Sequence, residues 1–448
     1  IRLEAAAAFN QGQRQEFPIP ITVMNTNPGI TIAPVEVECM ISHRPLKGPW
    51  HLRLFKPDGT EIPCQEQQPE ALLPFNRWRR RVTFMADLPC VGAVNYQLKA
   101  FEGEISPEVE NPALNFEIGK KTGLVVRLVS EKGYNCLSAP LMKPLVIEDK
   151  GDSWGTDCWT YRKIVGEFKV DPQSMRVLEQ GLIRTTYESI STHNLSKIVM
   201  HTIAYTQWPA IEYRLRVHWN EERKLLKLSI PTEYKNEFVS CEVPGGIIKR
   251  SADGEEEVFG RWFLLRGEGS DSRTALGVAT NGQHGLDFKD GEVRLSVLRS
   301  AAYCHEQGFK LADYPSRKFM DQGIHDIRLL VIVGNTDSIR LLLPALAEWL
   351  NAPPVAYAHL PAGSVAKEGV EILSVEPENI RLIACKQSWD GKALIIRLQE
   401  SSGMATQAAL EIKGVKTTIK LSLKPLEIKT LRVERSGKWK EVKIIEEK

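Results

Sequence analysis

The sequence predicts a mainly β protein assembled from sandwiches, and three observations carry that expectation. Alternating apolar and polar runs recur along most of the chain. In "IEYRLRVHW", for example, Ile211, Tyr213, Leu215, Val217 and Trp219 share one face, and Glu212, Arg214, Arg216 and His218 the other. Turn chemistry punctuates these runs at Pro57-Asp58-Gly59, Pro244-Gly245-Gly246, Asp253-Gly254, Asp290-Gly291 and Asp390-Gly391. Helical periodicity is confined to two short stretches.

The first of these opens the chain. In "IRLEAAAAFNQG", Ala5 to Ala8 beside Leu3 and Glu4 favour helix, and Gly12 stops it. No cap precedes them, so the stretch reads as the tail of a helix that starts elsewhere, and the chain as the C-terminal part of something longer. "NRWRRRVTF" reads as a strand with Trp78, Arg80, Val82 and Phe84 on one face and Arg79 and Arg81 on the other. "KLSI" continues the alternation through Leu228 and Ile230, "VRLSVL" puts Val293, Leu295 and Val297 on one side, and "TIKLSL" does so with Ile419, Leu421 and Leu423. "IRLLVIVG", from Ile327, is apolar throughout, as a strand buried on both faces would be. A short helix is expected over 344–351, with Pro344 in its first turn and Leu343, Leu346, Ala347 and Leu350 on one face.

These elements divide the chain into the end of a helical segment (1–16), a small β-sandwich (17–104), a large central β domain (105–343), a helix and Pro-rich linker (344–362) and a C-terminal β-sandwich (363–448). No 20–50-residue period repeats, which argues against a propeller or solenoid.

Composition narrows the function classes. A net charge of +2 over 448 residues gives no electrostatic case for nucleic acid or membrane. The arginines of "NRWRRRVTF" are not spread with aromatics over a wide surface, as nucleic-acid binding needs. No run approaches the roughly 18 apolar residues of a membrane span, and no start resembles a signal peptide. The 8 cysteines are scattered, without C-x-x-C or a metal-like spacing to His, so they read as reduced thiols and favour the cytoplasm; no metal ligands are expected in this chain. One sequon, Asn194-Leu195-Ser196, is what chance supplies.

The densest chemistry lies in "EDKGDSWGTDCW", 148–159, where Glu148, Asp149, Asp152 and Asp157 accompany Trp154 and Trp159. Carboxylates for hydroxyls and indole faces for the apolar side of a ring are what a sugar site uses. In extended backbone Asp152 and Trp154 share a face, and Gly151 and Gly155 permit a bend. The plainer reading is a strand end with a solvated acid and a core Trp. "ATNGQHGLDF" offers Asn281, His284 and Asp287 as ligand contacts or as hydrogen-bonded loop residues. Arg299 ends an apolar strand, where it would reach a substrate or pair with an acid. Asp321 and His325 precede the buried strand and form a couple suited to acid–base work. There is no G-x-S-x-G elbow, P-loop or G-x-G-x-x-G fingerprint.

The ordered series "EDKGDSWG", "VHWNEERKLLKLSIPT", "EVPGGIIKR", "FGRWFLL", "GVATNGQHGLDF", "LSVLRSAAY" and "DQGIHDIRLLVIVG" resembles the C-terminal half of glycoside hydrolase family 38, the α-mannosidases, of bacterial type. "NRWRRRVTFMADLPCVG" before it, and "ENIRLIACKQSWDGKALIIRLQESSG" and "KPLEIKTLRVE" after it, extend the resemblance over nearly the whole chain.

The resemblance implies a central supersandwich like that of galactose mutarotase, flanked by smaller β-sandwiches and preceded by a helical segment. It implies a retaining exo-acting α-mannosidase, which places two carboxyls about 5–5.5 Å apart around the scissile bond, and a zinc ion that touches the sugar. In the family the nucleophile and zinc ligands lie in an N-terminal α/β domain with a His-x-Asp motif that has no counterpart here. No catalytic residue is therefore assigned, zinc is expected in that other domain, and the chain alone is expected to be inactive. Arg299 is the best match to the family's substrate contact from the β domain; Asp152 and Trp154 would border the same cleft, with Asn281, His284 and Asp321 as further candidates. The implied partners are an α-mannoside and the catalytic domain of the same enzyme, and a homo-oligomer is compatible with the large β surfaces. The competing expectation is a stand-alone carbohydrate-binding or mutarotase-like protein, in which His284 or His325 would work with Glu222.

Overall fold

The computed structural model describes residues 17–41, 44–67, 69, 78–104, 108–151, 153–155, 158–267, 273–303, 319–358 and 369–446. The helical stretch expected at the start of the chain lies outside them. Between 108 and 335 two antiparallel sheets enclose one core. The six-stranded sheet runs Ile164–Glu167, Lys143–Glu148, Lys224–Pro231, Glu292–Arg299, Gly285–Lys289, Glu257–Val258. The ten-stranded sheet has Ile211–Trp219 and Gly323–Asn335 at its centre, paired from Ile211 opposite Val331 to Trp219 opposite Gly323. Leu226, Leu228, Val293 and Leu295 from the first sheet meet Ile211, Tyr213, Leu215, Val217 and Trp219 from the second, all buried. Each such aliphatic side chain contributes about 1.5–3 kcal/mol of burial.

The apolar run after Ile327 has a direct cause. Ile327, Leu329, Val331 and Val333 face this first core, while Leu330 and Ile332 face a second one formed with the N-terminal strands and the helix. The polar face expected for "IEYRLRVHW" is correspondingly not all solvated. Glu212 is fully buried and paired with Arg214 and Arg328.

Strands from both ends of the chain share an eight-stranded sheet. Ile19–Asn25 lies between Val355–Ala358 and Val91–Glu102, and Val91–Glu102 in turn pairs with Val370–Glu376. A third core, with Ile419, Leu421 and Leu423, lies between the C-terminal strands of that sheet and a four-stranded sheet from 380 to 442.

The helix is longer than the sequence predicts, Thr336–Asn351 rather than 344–351. Asn335 caps it by accepting from the Asp337 N–H, so Pro344 sits in the interior and not in the first turn. A proline there removes one backbone donor and disfavours helix; burial of Ile339, Leu343, Leu346, Trp349 and Leu350 in the second core outweighs that cost. The hairpin signal at Asp290-Gly291 is realised as a two-residue turn with φ of 52° and 79°, the left-handed pair that such turns require. No helix among the described residues is long and apolar enough to cross a membrane.

Candidate functional site

The outer face of the six-stranded sheet carries the site, and a break in alternation creates it. Val293 and Leu295 point into the core, so strict period two would send Val297 and Arg299 inward as well. Instead the register slips: Lys227 pairs with Ser296, Leu226 with Leu298 and Leu225 with Arg299. Val297 is the extra residue of a bulge, Leu298 takes the core position, and Arg299 is re-aimed outward. On that outer face Leu145, Ile147, Leu225 and Tyr161 form a small apolar cluster.

Arg299 is fixed rather than free. Its Nε donates to Asp149 Oδ2 at 2.8 Å and its Nη2 to Asp149 Oδ1 at 3.0 Å, a two-pronged ion pair with a fully buried carboxylate. The guanidinium lies 5.2 Å from the Tyr161 ring centroid. Burial alone would lower the Arg299 pKa; the hydrogen bond to Asp149 outweighs it and holds the guanidinium above its ordinary value. Burial pushes the Tyr161 phenol well above the usual range. The loop leaves room for the arginine: a Cβ on Gly151 would stand 2.7 Å from Arg299 Nη2, and Gly155, at φ +68°, would bring one within 3.5 Å of Nη1.

Backbone bonds gather the surrounding loops. Asp149 N donates to Arg223 O, Arg223 N to Ser300 O and Ser300 N to Lys224 O, at 3.0, 2.9 and 2.9 Å. Trp154 and Trp159, in the loop that wraps Arg299, are 74% and 72% exposed, so neither is the core Trp that the plainer reading would have it be. Further along the same face Lys227, wholly buried, pairs with Asp287 and Glu256, and Arg162 bridges Asp287 and Glu292. Burial pushes the Asp287 carboxyl up, against the pull of Lys227 and Arg162. With Arg294 on Glu292, three cations balance three carboxylates in this network. Its main role is to hold the loop carrying Trp159 to the sheet, since Trp159 O also accepts from Glu256 N at 2.8 Å.

Of the residues singled out in the sequence, Arg299, Trp154 and Asp321 lie in this region, and Asp287 in the charged network further along the face. Asp321 Oδ2 is 3.4 Å from the Arg299 backbone N–H. Asp152 lies outside the described residues. Asn281 and His284 are held elsewhere: Asn281 Oδ1 accepts from Arg328 N at 2.9 Å, and His284 Nδ1 lies 2.8 Å from Gly260 O. His325 Nε2 lies 2.8 Å from the Asp321 carbonyl, so the couple expected there meets through backbone and not through the carboxylate. Sequence reasoning named Asp149 only among the four acids of 148–159, with no role of its own, and did not name Tyr161. The signal for Asp149 was present, because Leu145, Ile147 and Asp149 alternate onto one face; Tyr161 had none. Among the described residues no three His, Cys, Asp or Glu side chains converge to hold a metal ion, so the zinc implied by the family resemblance does not fit any group of ligands here.

Residues 109–309 match the sequence profile of the glycosyl hydrolases family 38 C-terminal domain. Comparison with curated proteins gives no match. Among solved structures, an α-mannosidase from Enterococcus faecalis V583 aligns with a TM-score of 0.68 at 13% identity, over 93% of this chain and 56% of its own. A protein in glycosyl hydrolase family 38, also from Enterococcus faecalis, aligns with a TM-score of 0.70 at 14% identity, over 94% of this chain and 59% of its own. At such identity the likeness is one of fold, and this chain spans less than three fifths of either structure. The comparisons thus show a match to the glycosyl hydrolases family 38 C-terminal domain over 109–309, and a fold shared with these two structures over nearly the whole chain.

Proposed function

We propose that this chain is the β portion of a retaining α-mannosidase and that the face bearing Arg299 completes the cleft for an α-linked mannoside. The observation that carries this reading is the Asp149-anchored Arg299, held in place beside two exposed tryptophans. A guanidinium fixed by a buried carboxylate is a cation already held in place, so a sugar hydroxyl can approach it without a loss of rotamer freedom on binding. An exposed indole offers a flat apolar face to a pyranose ring. In this reading the bond-breaking carboxyls and the zinc come from a separate catalytic domain. The enzyme works in the cytoplasm, where the 7 described cysteines stay as thiols.

The test is hydrolysis of p-nitrophenyl α-mannoside by this chain and by the full-length gene product, each with zinc. The chain alone is expected to be inactive and the full-length protein active. Arg299→Ala in the full-length protein is expected to lower kcat/KM about ten- to hundredfold, the loss of one charge-assisted hydrogen bond of about 1.5–3 kcal/mol. Zinc-dependent turnover by the chain alone, or an Arg299→Ala protein with unchanged kcat/KM, would defeat the reading.

A further inference from the structure

The second core ends in a groove that the mannoside reading leaves unused. Alternation along Phe238–Val243, Gly246–Ser251 and Trp262–Arg266 turns Phe238, Lys249, Trp262, Leu264 and Arg266 to one face of the ten-stranded sheet. Over the neighbouring strands the helix Thr336–Asn351 covers this face. At the sheet edge the cover changes. Arg340 of the helix and Leu426 of the C-terminal unit form the facing wall and leave a groove of about 310 Å³, a volume at the small end of ligand sites.

Its lining is electrostatically one-sided. Lys249, Arg266 and Arg340 reach it, and among the described residues no carboxylate does. The nearest acid on these strands, Glu242, is engaged with Arg261 and Arg381. Arg340 donates to the carbonyl oxygens of Ser402 and Gly403, at 3.0 and 3.5 Å. The Lys249 ammonium rests 4.0 Å from the Phe238 ring centroid. Among the described residues no acid forms an ion pair with any of the three cations. Trp262 adds an observation of another kind: it is 2% exposed, and its indole N–H has no hydrogen-bond partner among the described residues. Like charges gathered over an apolar floor repel one another, and a buried donor without an acceptor is costly. An anion carried on a ring relieves the first, and the ring covers the apolar floor that Trp262 helps to form.

We propose that this groove binds a ring-bearing phosphate monoester, with the ring on Phe238, Leu264 and Trp262 and the phosphate on Lys249, Arg266 and Arg340. Calorimetric titration of the chain with phenyl phosphate and with glucose 6-phosphate tests it, using inorganic phosphate and phenol as the separate halves. At least one ester is expected to bind tenfold or more tightly than either half. Lys249→Glu and Arg266→Glu, both at exposed positions and so expected to keep the wild-type Tm, are each expected to weaken binding tenfold or more. The Trp262 indole N–H resonance, assigned with Trp262→Phe, is expected to shift. Binding of phenyl phosphate alone identifies an aryl ester, and of glucose 6-phosphate alone a sugar ester; both support the proposal. No ester binding at about 10 mM ligand, above the roughly 1 mM upper end of typical substrate affinities, overturns it. So does inorganic phosphate binding as tightly as the esters, or ester binding that both charge reversals leave untouched.

Discussion

Arg299 and Asp149 show why a buried ion pair is better evidence for positioning than for stability. Removing both charges from water costs several kcal/mol per ion, and the pair recovers this only through geometry. The geometry here is two-pronged, with Asp149 also accepting from the Gly151 N–H at 3.0 Å. Removing one partner is therefore worse than removing both. Arg299→Ala strands a fully buried carboxylate, and because Arg299 keeps 25% of its side chain in solvent the cost is set at the low end, about 3 kcal/mol. The Asp149→Ala, Arg299→Ala double variant should recover part of that loss, giving a coupling energy of about 2 kcal/mol in a urea-unfolding cycle. Additive losses would mean that the two side chains do not interact in solution as they do here.

At the scale of elements, the bulge at Val297 decides where Arg299 points. The alternation of Val293 and Leu295 was legible in the sequence, as were the doubly buried strand after Ile327 and the hairpin at Asp290-Gly291. These signals are local: period and turn chemistry act within a few residues. The bulge was not legible, because "SVLRS" reads equally well with Val297 or Leu298 in the core, and only the partner strand selects Leu298. The helix start was misread for a related reason. Gly334 to Ser338 is a polar stretch that reads as a turn after the strand, and Asn335 as cap competes with Pro344 as a first-turn signal. Of the site, Arg299 and Trp154 were visible by residue type, whereas Tyr161 was not, since its role depends on a loop returning to the sheet. Inserting an alanine between Leu298 and Arg299 keeps Leu298 in the core position and turns the arginine toward the core, whereas deleting Val297 would only remove the extra residue and leave Arg299 outward. The insertion is expected to lower the Tm by several degrees and to abolish the Asp149–Arg299 coupling, whereas Val297→Ala retains both the coupling and a Tm near wild type. A coupling that survives the insertion would show that the loop, and not the strand, orients the arginine.

At the scale of the whole molecule, the units are joined by charge as much as by apolar surface. Glu36, on the N-terminal strand Ile32–Cys39, accepts from Arg184 at 2.7 Å and Arg214 at 2.5 Å on the ten-stranded sheet. Arg214 and Arg328 in turn hold Glu212, which is fully buried and also accepts from Tyr205 Oη at 2.6 Å. Burial by itself would raise both carboxyls; the arginines outweigh it, bringing Glu212 down to about 2 and Glu36 well below the usual range. A carboxyl whose folded pKa lies below its unfolded value binds fewer protons in the native state. It therefore adds stability above the unfolded pKa and loses it as pH falls through the folded one. For Glu212 that window runs from about 4.5 down to about 2, and Glu36 extends it further toward acid. The junction between the N-terminal strands and the ten-stranded sheet should thus weaken in acid before the first core, whose contacts are apolar. Hydrogen exchange between pH 5 and 3 should show amides of Ile32–Cys39 losing protection ahead of those of Ile211–Trp219. Glu36→Gln should remove most of the pH dependence of that difference, because the junction is then weak already at neutral pH. Simultaneous loss of protection in both strands of the wild-type protein would show that the charged junction does not govern the acid transition.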